Sequence, residues 1–147
     1  MLTYKGRFTP KNFSKYKGDA SNIVYRSLWE RQFFRWADEQ VFIKSWSSEE
    51  VIVPYRCKTD GKMHRYFVDA KLEFADGRVL LIEIKPKNQT LPPKNPGRKT
   101  KRYITEVMTY AKNVSKWEAA TEYARDHGWI FEIWDEQMLR GLGIKIL

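Results

Sequence analysis

Three charged residues lie in stretches of the chain that otherwise resemble buried strands. Asp69 follows an aromatic stretch, while Glu83 and Lys85 alternate with isoleucines in the run Val79-Leu80-Leu81-Ile82-Glu83-Ile84-Lys85. A buried charge is costly unless it has a partner, so charges in a strand of this kind indicate an active site more often than a core. Carboxylates beside a lysine are suited to holding a metal ion and to activating water.

The turn between the two stretches predicts how they pair. In Phe74-Ala75-Asp76-Gly77-Arg78 the glycine can take a positive φ at the end of a three-residue loop, which places Phe74 opposite Arg78. Asp69 then lies directly across from Glu83. A two-residue turn would shift the pairing by one residue and bury the Asp69 carboxylate among core isoleucines. We therefore favour the three-residue loop.

With this register, alternation along the strands separates two faces. One face carries Asp69, Glu83 and Lys85. The other is predicted to be wholly apolar, with Tyr66, Val68, Ala70, Leu72 and Phe74 beside Leu80, Ile82 and Ile84.

A third carboxylate is predicted to join the charged pair. Helical periodicity places Glu30 inside the apolar arc of the first helix, where a carboxylate needs a partner. Facing carboxylates repel, and oxygen ligands without nearby His or Cys suit Mg²⁺ or Mn²⁺. Lys85 could then activate water or stabilise a phosphoryl oxygen. Two alternatives remain open: Glu83 and Lys85 could form surface ion pairs, and Glu30 could pair with Arg26.

The elements that must position these residues follow from periodicity and turn signals. We predict an α/β domain with a central mixed β-sheet flanked by helices. Asp19 or Ser21 is the candidate N-cap of the first helix. The predicted elements are helices at residues 22–38 and 101–127, strands at 41–46, 51–55, 65–74, 79–85 and 129–134, and a short helix with an edge segment at 143–147.

Composition limits the class of protein. The 147 residues predict a basic N-terminal arm at 1–20, without helical or strand period, and a single domain at 21–147. A net charge of +9 favours a polyanionic partner, and no apolar run is long enough to span a membrane. Cys57 is the only cysteine, which excludes an internal disulfide, disfavours a structural zinc site and makes a cytoplasmic location the simplest expectation.

Basic residues cluster after the strand that carries Glu83. Their position beside a candidate metal site favours contacts to the phosphates of a nucleic acid, although a solvated loop and helix face is the alternative. We find no signature of base reading, which favours recognition of backbone and shape. The predicted nucleic-acid-binding residues are Lys94, Arg98, Lys99, Lys101, Arg102, Lys112 and Lys116.

The spacing from Asp69 to Glu83-Ile84-Lys85 resembles the signature of the PD-(D/E)XK nuclease superfamily, with Val68 at the position of the motif's proline. Ser27-Leu28-Trp29-Glu30 and the aromatic residues before Asp69 resemble the endonuclease subunit of Tn-seven-like transposons. In size and layout the chain most resembles the head completion nucleases of T-even-type tailed phages.

The resemblance implies a restriction-endonuclease-like core and a metal-dependent deoxyribonuclease. It implies Asp69 and Glu83 as metal ligands, Glu30 as the acid completing the site, Lys85 as the catalytic lysine, and Mg²⁺ or Mn²⁺ as the cofactor. The implied partners are double-stranded DNA and the portal or neck proteins of a phage head. Alternatives are a transposon-end or DNA-repair nuclease with a partner subunit, a catalytically silent DNA-binding module, and an RNA-directed nuclease.

Overall fold

A computed structural model describes residues 3–146, with side chains from residue 5 onward. Short 3-10 turns at Phe13–Lys15 and Lys87–Gln89 punctuate the loops. In chain order the main elements are β1 (Thr3–Arg7), β2 (Val24–Ser27), α1 (Leu28–Glu39), β3 (Ile43–Ser47), β4 (Ile52–Arg56), β5 (Met63–Phe67), β6 (Ala70–Phe74), β7 (Val79–Ile84), α2 (Lys101–Asp126), β8 (Ile130–Trp134) and α3 (Glu136–Gly141).

The central sheet has four strands in the order β3-β6-β7-β8. The first three are antiparallel, and β8 joins β7 in parallel after the α2 crossover. Strands β1 and β2 form one two-stranded ribbon, and β4 and β5 form another. The predicted mixed sheet flanked by helices is therefore confirmed. Within residues 3–146 no helix has both the length and the apolar character needed to cross a membrane.

Each face of the sheet is covered by its own core. On one face the aromatic side of α1 packs against alternate residues of β6 and β7; Phe33 and Ile82 are among the residues with no exposed surface. On the other face Leu81 of β7 packs against Ala120 and Ala124 of α2 and against the β4–β5 ribbon. Strand β7, buried on both faces, is therefore apolar at nearly every position, as expected for a central strand.

The predicted register of the β6–β7 hairpin is confirmed. Leu72 pairs with Leu80 and Ala70 with Ile82, and the Phe74 amide donates to the Arg78 carbonyl at 2.8 Å. Gly77 has a φ of 95°, a left-handed conformation that glycine adopts without strain. The pairing ends at Ala70 and Ile82, and Asp69, the preceding residue in the chain, lies in a bend where its carboxylate accepts the Ile84 amide.

The predicted strand at 65–74 is wrong in one respect, because the chain bends at Val68 and Asp69 and forms two strands. Val68 exchanges backbone hydrogen bonds with the β3–β4 loop, donating to Val51 and accepting from Glu49. Beyond this bend the alternation of faces starts again. Tyr66 and Val68 therefore belong to the core on the α2 face, and not to the apolar face shared by Ala70 and Leu72.

The first helix begins later than predicted. Residues 24–27 pair with β1 as a strand, and α1 starts at Leu28 with Ser27 as its N-cap. The β-branched and aromatic residues Val24 and Tyr25 suit an extended ribbon, and tertiary pairing decides between the two structures. The predicted caps are wrong. Asp19 instead forms a local turn in which Oδ1 accepts from the Ser21 amide at 3.1 Å.

The N-terminal residues were expected to form an arm without helical or strand structure. This expectation is wrong for Thr3–Arg7, which form β1. The residues after β1 are held by the Asp38 carboxylate at the buried end of α1. Asp38 Oδ2 accepts from the amides of Lys11 and Asn12 at 2.9 and 3.1 Å, and Oδ1 accepts from the Trp46 indole at 3.2 Å. The predicted boundary between an arm at residues 1–20 and a domain at 21–147 stays a prediction.

The C-terminal half of α2 packs on the sheet, whereas its N-terminal half extends beyond the core. Among residues 101–114 none is fully buried, and Ile104 and Met108 are about half exposed. After α3, the predicted edge segment contributes Ile144 and Ile146 to the core without forming a strand in residues 143–146; residue 147 lies outside the described part.

We expect Asp38→Ala to lower the free energy of unfolding by about 2–4 kcal/mol, because it leaves buried N–H donors without an acceptor. Chemical denaturation measures the change. Glu39→Ala is the matched control: Glu39 is exposed and makes only surface ion pairs, so its loss should cost less than about 0.5 kcal/mol. Equal stabilities of the two variants would contradict the anchoring role of Asp38.

Candidate active site

The bend at Asp69 and the strand β7 bring the predicted charged residues together. Asp69 Oδ2 accepts the Ile84 amide at 2.8 Å, which orients its carboxylate along β7. Glu83 is buried, and its Oε2 accepts a hydrogen bond from the Tyr66 hydroxyl. Lys85 Nζ lies 3.8 Å from Glu83 Oε1, and both side chains have little exposed surface. The surface-ion-pair alternative does not describe this geometry.

Glu30 reaches the same region from the first turn of α1. Ser27 Oγ accepts the Glu30 amide at 3.2 Å, and Glu30 Oε2 accepts the Arg26 amide at 2.9 Å. This exchange resembles a capping box and fixes the carboxylate at the positive end of the helix. The Arg26 guanidinium instead pairs with Glu49 at 3.3 Å. The Glu30 carboxylate therefore bonds the backbone amide of Arg26, whereas the Arg26 guanidinium pairs with Glu49.

The carboxylates share an environment that disfavours their ionised forms. Burial and the nearby Asp69 charge raise the pKa of Glu30 to about 7. Burial raises the pKa of Asp69 to about 6, with a further contribution from the Glu49 charge. Burial also raises the pKa of Glu83, against the opposing effect of Lys85 and Lys116. Burial is thus the main cause of the raised pKa values of all three carboxylates, and nearby carboxylates add to it for Glu30 and Asp69.

This donor set fits a hard divalent cation. Carboxylate oxygens are the ligands such cations prefer, and a cation would offset the cost of ionising these buried groups. The oxygens of Glu30, Asp69 and Glu83 do not all lie within 4.8 Å of one another, so they line a site without forming a compact three-carboxylate cage.

Three residues of the site were not predicted for it. Tyr66 was assigned to the apolar face and reaches Glu83 only because the chain bends after β5. Lys116 was assigned to a DNA-binding helix surface, but its half-buried Nζ lies 5.5 Å from the centre of the Tyr66 ring. Burial lowers the pKa of Lys116, while Glu83 raises it.

Glu49 was also missed. It precedes β4 with a φ of 55°, the one positive φ among described residues other than glycine. A conformation of this kind is uncommon for glutamate and occurs often at functional sites. The signal that could have identified it is the Glu49-Glu50 pair between two strands, which the sequence alone does not separate from an ordinary loop.

The chain matches a family model described as the TnsA-like endonuclease N-terminal domain over residues 42–136. It is also 43% identical over 148 residues to the head completion nuclease of Enterobacteria phage T4, an alignment that covers 98% of this chain and 99% of the relative. The chain belongs to the TnsA-like endonuclease family. It is therefore a nuclease, as the sequence predicted. No solved structure matches it.

The family match includes Asp69, Glu83 and Lys85 and leaves Glu30 outside, on the preceding helix. Divalent metal use is general to nucleases of this fold, in agreement with the donor set. Although Glu30 precedes the matched region, α1 brings it near Asp69, whose charge contributes to the raised pKa of Glu30.

Of the predicted nucleic-acid-binding residues, Arg102 lines an open groove that begins at Lys85, and the others are not among its lining residues. Lys94, Arg98 and Lys99 are exposed on the loop before α2, while Lys101 and Arg102 are exposed in its first turn. Cations in the first turn oppose the helix dipole, so they do not stabilise the helix there. The groove, of about 480 Å³, runs from Lys85 along the first turns of α2 to Asn113.

The raised carboxylate pKa values predict how the stability of the metal-free nuclease depends on pH. Because the folded state binds protons more tightly than the unfolded chain, stability is highest below about pH 4 to 5 with respect to these groups and falls as the pH rises through 6 and 7. We expect Glu30→Gln and Asp69→Asn each to raise stability at pH 8 by roughly 1–2 kcal/mol relative to the parent.

Urea denaturation in EDTA between pH 4.5 and 8 measures this effect. Asp76→Asn, at the exposed β6–β7 turn, is a control without a buried carboxylate. If the free energy of unfolding depends on pH in the same way in the parent and in both site variants, the folded protein does not raise the pKa values of these carboxylates.

Proposed function

We propose that this nuclease is a metal-dependent DNA endonuclease that hydrolyses phosphodiester bonds. The observation that carries the proposal is the convergence of Asp69, Glu83 and Lys85 at the bend between β5 and β6, beside Glu30. Raised carboxylate pKa values beside a half-buried lysine support an active site better than a structural ion-pair network.

Asp69 and Glu83 would hold the ion, and Glu30 would complete the site from α1. Mg²⁺ or Mn²⁺ fits these oxygen donors, and when bound it supplies Lewis-acid stabilisation of the phosphate and lowers the pKa of water. The Ile84 amide holds the Asp69 carboxylate in place, and the Tyr66 hydroxyl does the same for Glu83. Both ligands are therefore oriented before substrate arrives, which reduces the reorganisation needed for reaction.

Lys85 is the proposed catalytic lysine. From its position beside Glu83 the ammonium group can stabilise negative charge on a phosphate oxygen, or in neutral form accept a proton from the attacking water. Lys116 is proposed as a second cation of the site. Its place among Tyr66, Glu83 and Lys85 suits it to balance the carboxylates and to orient the scissile phosphate.

DNA binding is proposed through the basic loop and α2. Lys94, Arg98, Lys99, Lys101, Arg102 and Lys112 would neutralise backbone phosphates along the groove that leads to Lys85. Because these residues are long cations without a base-reading element, we propose recognition of backbone and shape and not of sequence.

The T4 relative supports a role in phage head completion. We propose that this nuclease acts on packaged DNA before head-tail joining, in the host cytoplasm or associated with the virion. Portal or neck proteins are the proposed partners. The near-complete alignment favours this setting over a transposon-end nuclease, because the family model covers only residues 42–136.

A plasmid-nicking assay tests the activity. We expect conversion of supercoiled plasmid with Mg²⁺ or Mn²⁺, no conversion in EDTA, and rates at least about 10²-fold lower for Asp69→Asn and Lys85→Ala, since each removes a group that stabilises the transition state. Lys44→Ala, at an exposed lysine that pairs with Glu73 on β6, should keep the parent rate. An inert parent protein, or site variants that cut as well as the parent, would exclude the mechanism.

Kinetics of Lys116 variants separate a role in the chemical step from DNA binding. Lys116→Ala should lower the single-turnover rate at saturating DNA by about 10- to 100-fold, with Lys116→Arg partly active. Lys112→Ala, one turn earlier and exposed, should weaken DNA binding without lowering that rate. If Lys116→Ala changes only DNA affinity, Lys116 is a phosphate contact and not part of the active site.

A further inference from the structure

A second group of possible metal ligands lies at the turn between β4 and β5. One ligand atom each from Cys57, Asp60 and His64 can be chosen so that all three lie within 4.8 Å of one another. Among the described residues this is the only group of three or more acidic, histidine or cysteine side chains that is so compact. It shares no residue with the active site.

The turn itself creates the group. The Gly61 amide donates to the Cys57 carbonyl at 2.8 Å, and the Cys57 amide donates to the Lys62 carbonyl at 2.9 Å. Gly61 has a φ of 68°, so the chain reverses immediately after Asp60. Cys-x₂-Asp has the separation of the Cys-x₂-Cys pairs of zinc sites, and Asp-x₃-His has that of their His-x₃-His pairs, with Asp60 in place of a cysteine in one pair and of a histidine in the other.

The donor types distinguish this group from the active site. A thiolate, an imidazole and a carboxylate suit Zn²⁺, whereas Mg²⁺ prefers oxygen alone. His64 Nε2 and Asp60 Oδ2 are 2.7 Å apart, and Cys57 Sγ is 3.0 Å from Thr59 Oγ1. A metal ion can replace the proton between the His64 and Asp60 atoms after a small side-chain rotation. Cys57 is buried, while Asp60 and His64 are partly exposed and leave a path for entry.

We propose that Cys57, Asp60 and His64 bind one Zn²⁺ ion, with a water molecule as the fourth ligand. The function of this ion is structural, and the proposal does not rest on the nuclease mechanism.

The position of the turn gives the ion a consequence for the active site. The Lys58 amide donates to Ser115 Oγ at 3.2 Å, and Lys58 Nζ lies 3.1 Å from Glu118 Oε2, so the turn is attached to α2 on either side of Lys116. From the same turn, β5 leads directly to Tyr66. Cross-linking Cys57 to His64 through a metal restrains the ribbon and its contact with α2 together.

Titration of the untagged, metal-free protein with Co²⁺ tests the proposal. We expect a thiolate-to-cobalt charge-transfer band that saturates at one equivalent and disappears when one equivalent of Zn²⁺ is added. Excess Mg²⁺ should leave the band unchanged. Cys57→Ser should abolish the band. His64→Gln should weaken Zn²⁺ binding at least about tenfold, because the loss of a residue that only hydrogen-bonds a metal ligand already has an effect of this size.

Two variants serve as controls. His127→Gln removes the other of the two histidines, which stacks on Tyr123 and Trp129, and should bind Zn²⁺ like the parent. Asp69→Asn should also bind normally, which separates this site from the active site. Zn²⁺ should raise the melting temperature of the parent and both controls by more than it raises that of His64→Gln.

Absence of the cobalt band in the parent overturns the proposal. Retention of parent-like Zn²⁺ affinity in Cys57→Ser, or loss of Zn²⁺ binding in Asp69→Asn, overturns it as well, because the ion would then be held elsewhere. Should Cys57→Ser fail to fold, the comparison of His64→Gln with His127→Gln decides: equal Zn²⁺ affinities reject the site.

Discussion

The register of the β6–β7 hairpin is the constraint on which the rest of the site depends. A three-residue loop ending at Gly77 sets Ala70 across from Ile82, so that Asp69 and Glu83 lie one residue beyond the last β6–β7 pair. A shift of one residue would move Glu83 to the apolar face that packs against α1. The Ile84 amide then holds the Asp69 carboxylate against the strand. The turn at residues 75–77 thus determines the strand pairing that positions Asp69 and Glu83.

Around that pair the fold balances charge from several directions. Glu30 comes from α1, Glu49 from the loop before β4, Lys85 from the end of β7 and Lys116 from α2. The pKa values of Glu30 and Asp69 remain raised, mainly because these carboxylates are buried. Ionising them destabilises the metal-free protein, and a bound cation would offset this cost. The buried carboxylates of the proposed site therefore lower the stability of the metal-free protein. The buried Asp38 carboxylate, which accepts from three N–H donors, instead stabilises the fold.

The sequence-based predictions succeeded where local rules apply and failed where the tertiary structure sets the local rule aside. The hairpin, β7, α2 and β8 follow from turn chemistry and periodicity, and so does the grouping of Asp69, Glu83 and Lys85. The predicted strand at 65–74 ignored the bend at Val68 and Asp69, because a continuous apolar and aromatic run gives no sign that its two halves pair with different strands. The start of α1 was missed because Val24 and Tyr25 pair with β1, a contact between distant residues.

The sequence alone determined the mixed α/β class and the strand register, and it predicted the carboxylates and lysine proposed for the site, because alternation along a strand and the conformation of a short turn depend on neighbouring residues. Only the tertiary structure decided that Tyr66 bonds Glu83, that Glu49 and Lys116 lie near the carboxylates, and how closely Cys57, Asp60 and His64 approach one another. The contacts of Tyr66, Glu49 and Lys116 join separate elements, and the approach of Cys57, Asp60 and His64 depends on how the chain reverses at Gly61, so residue spacing alone does not fix either.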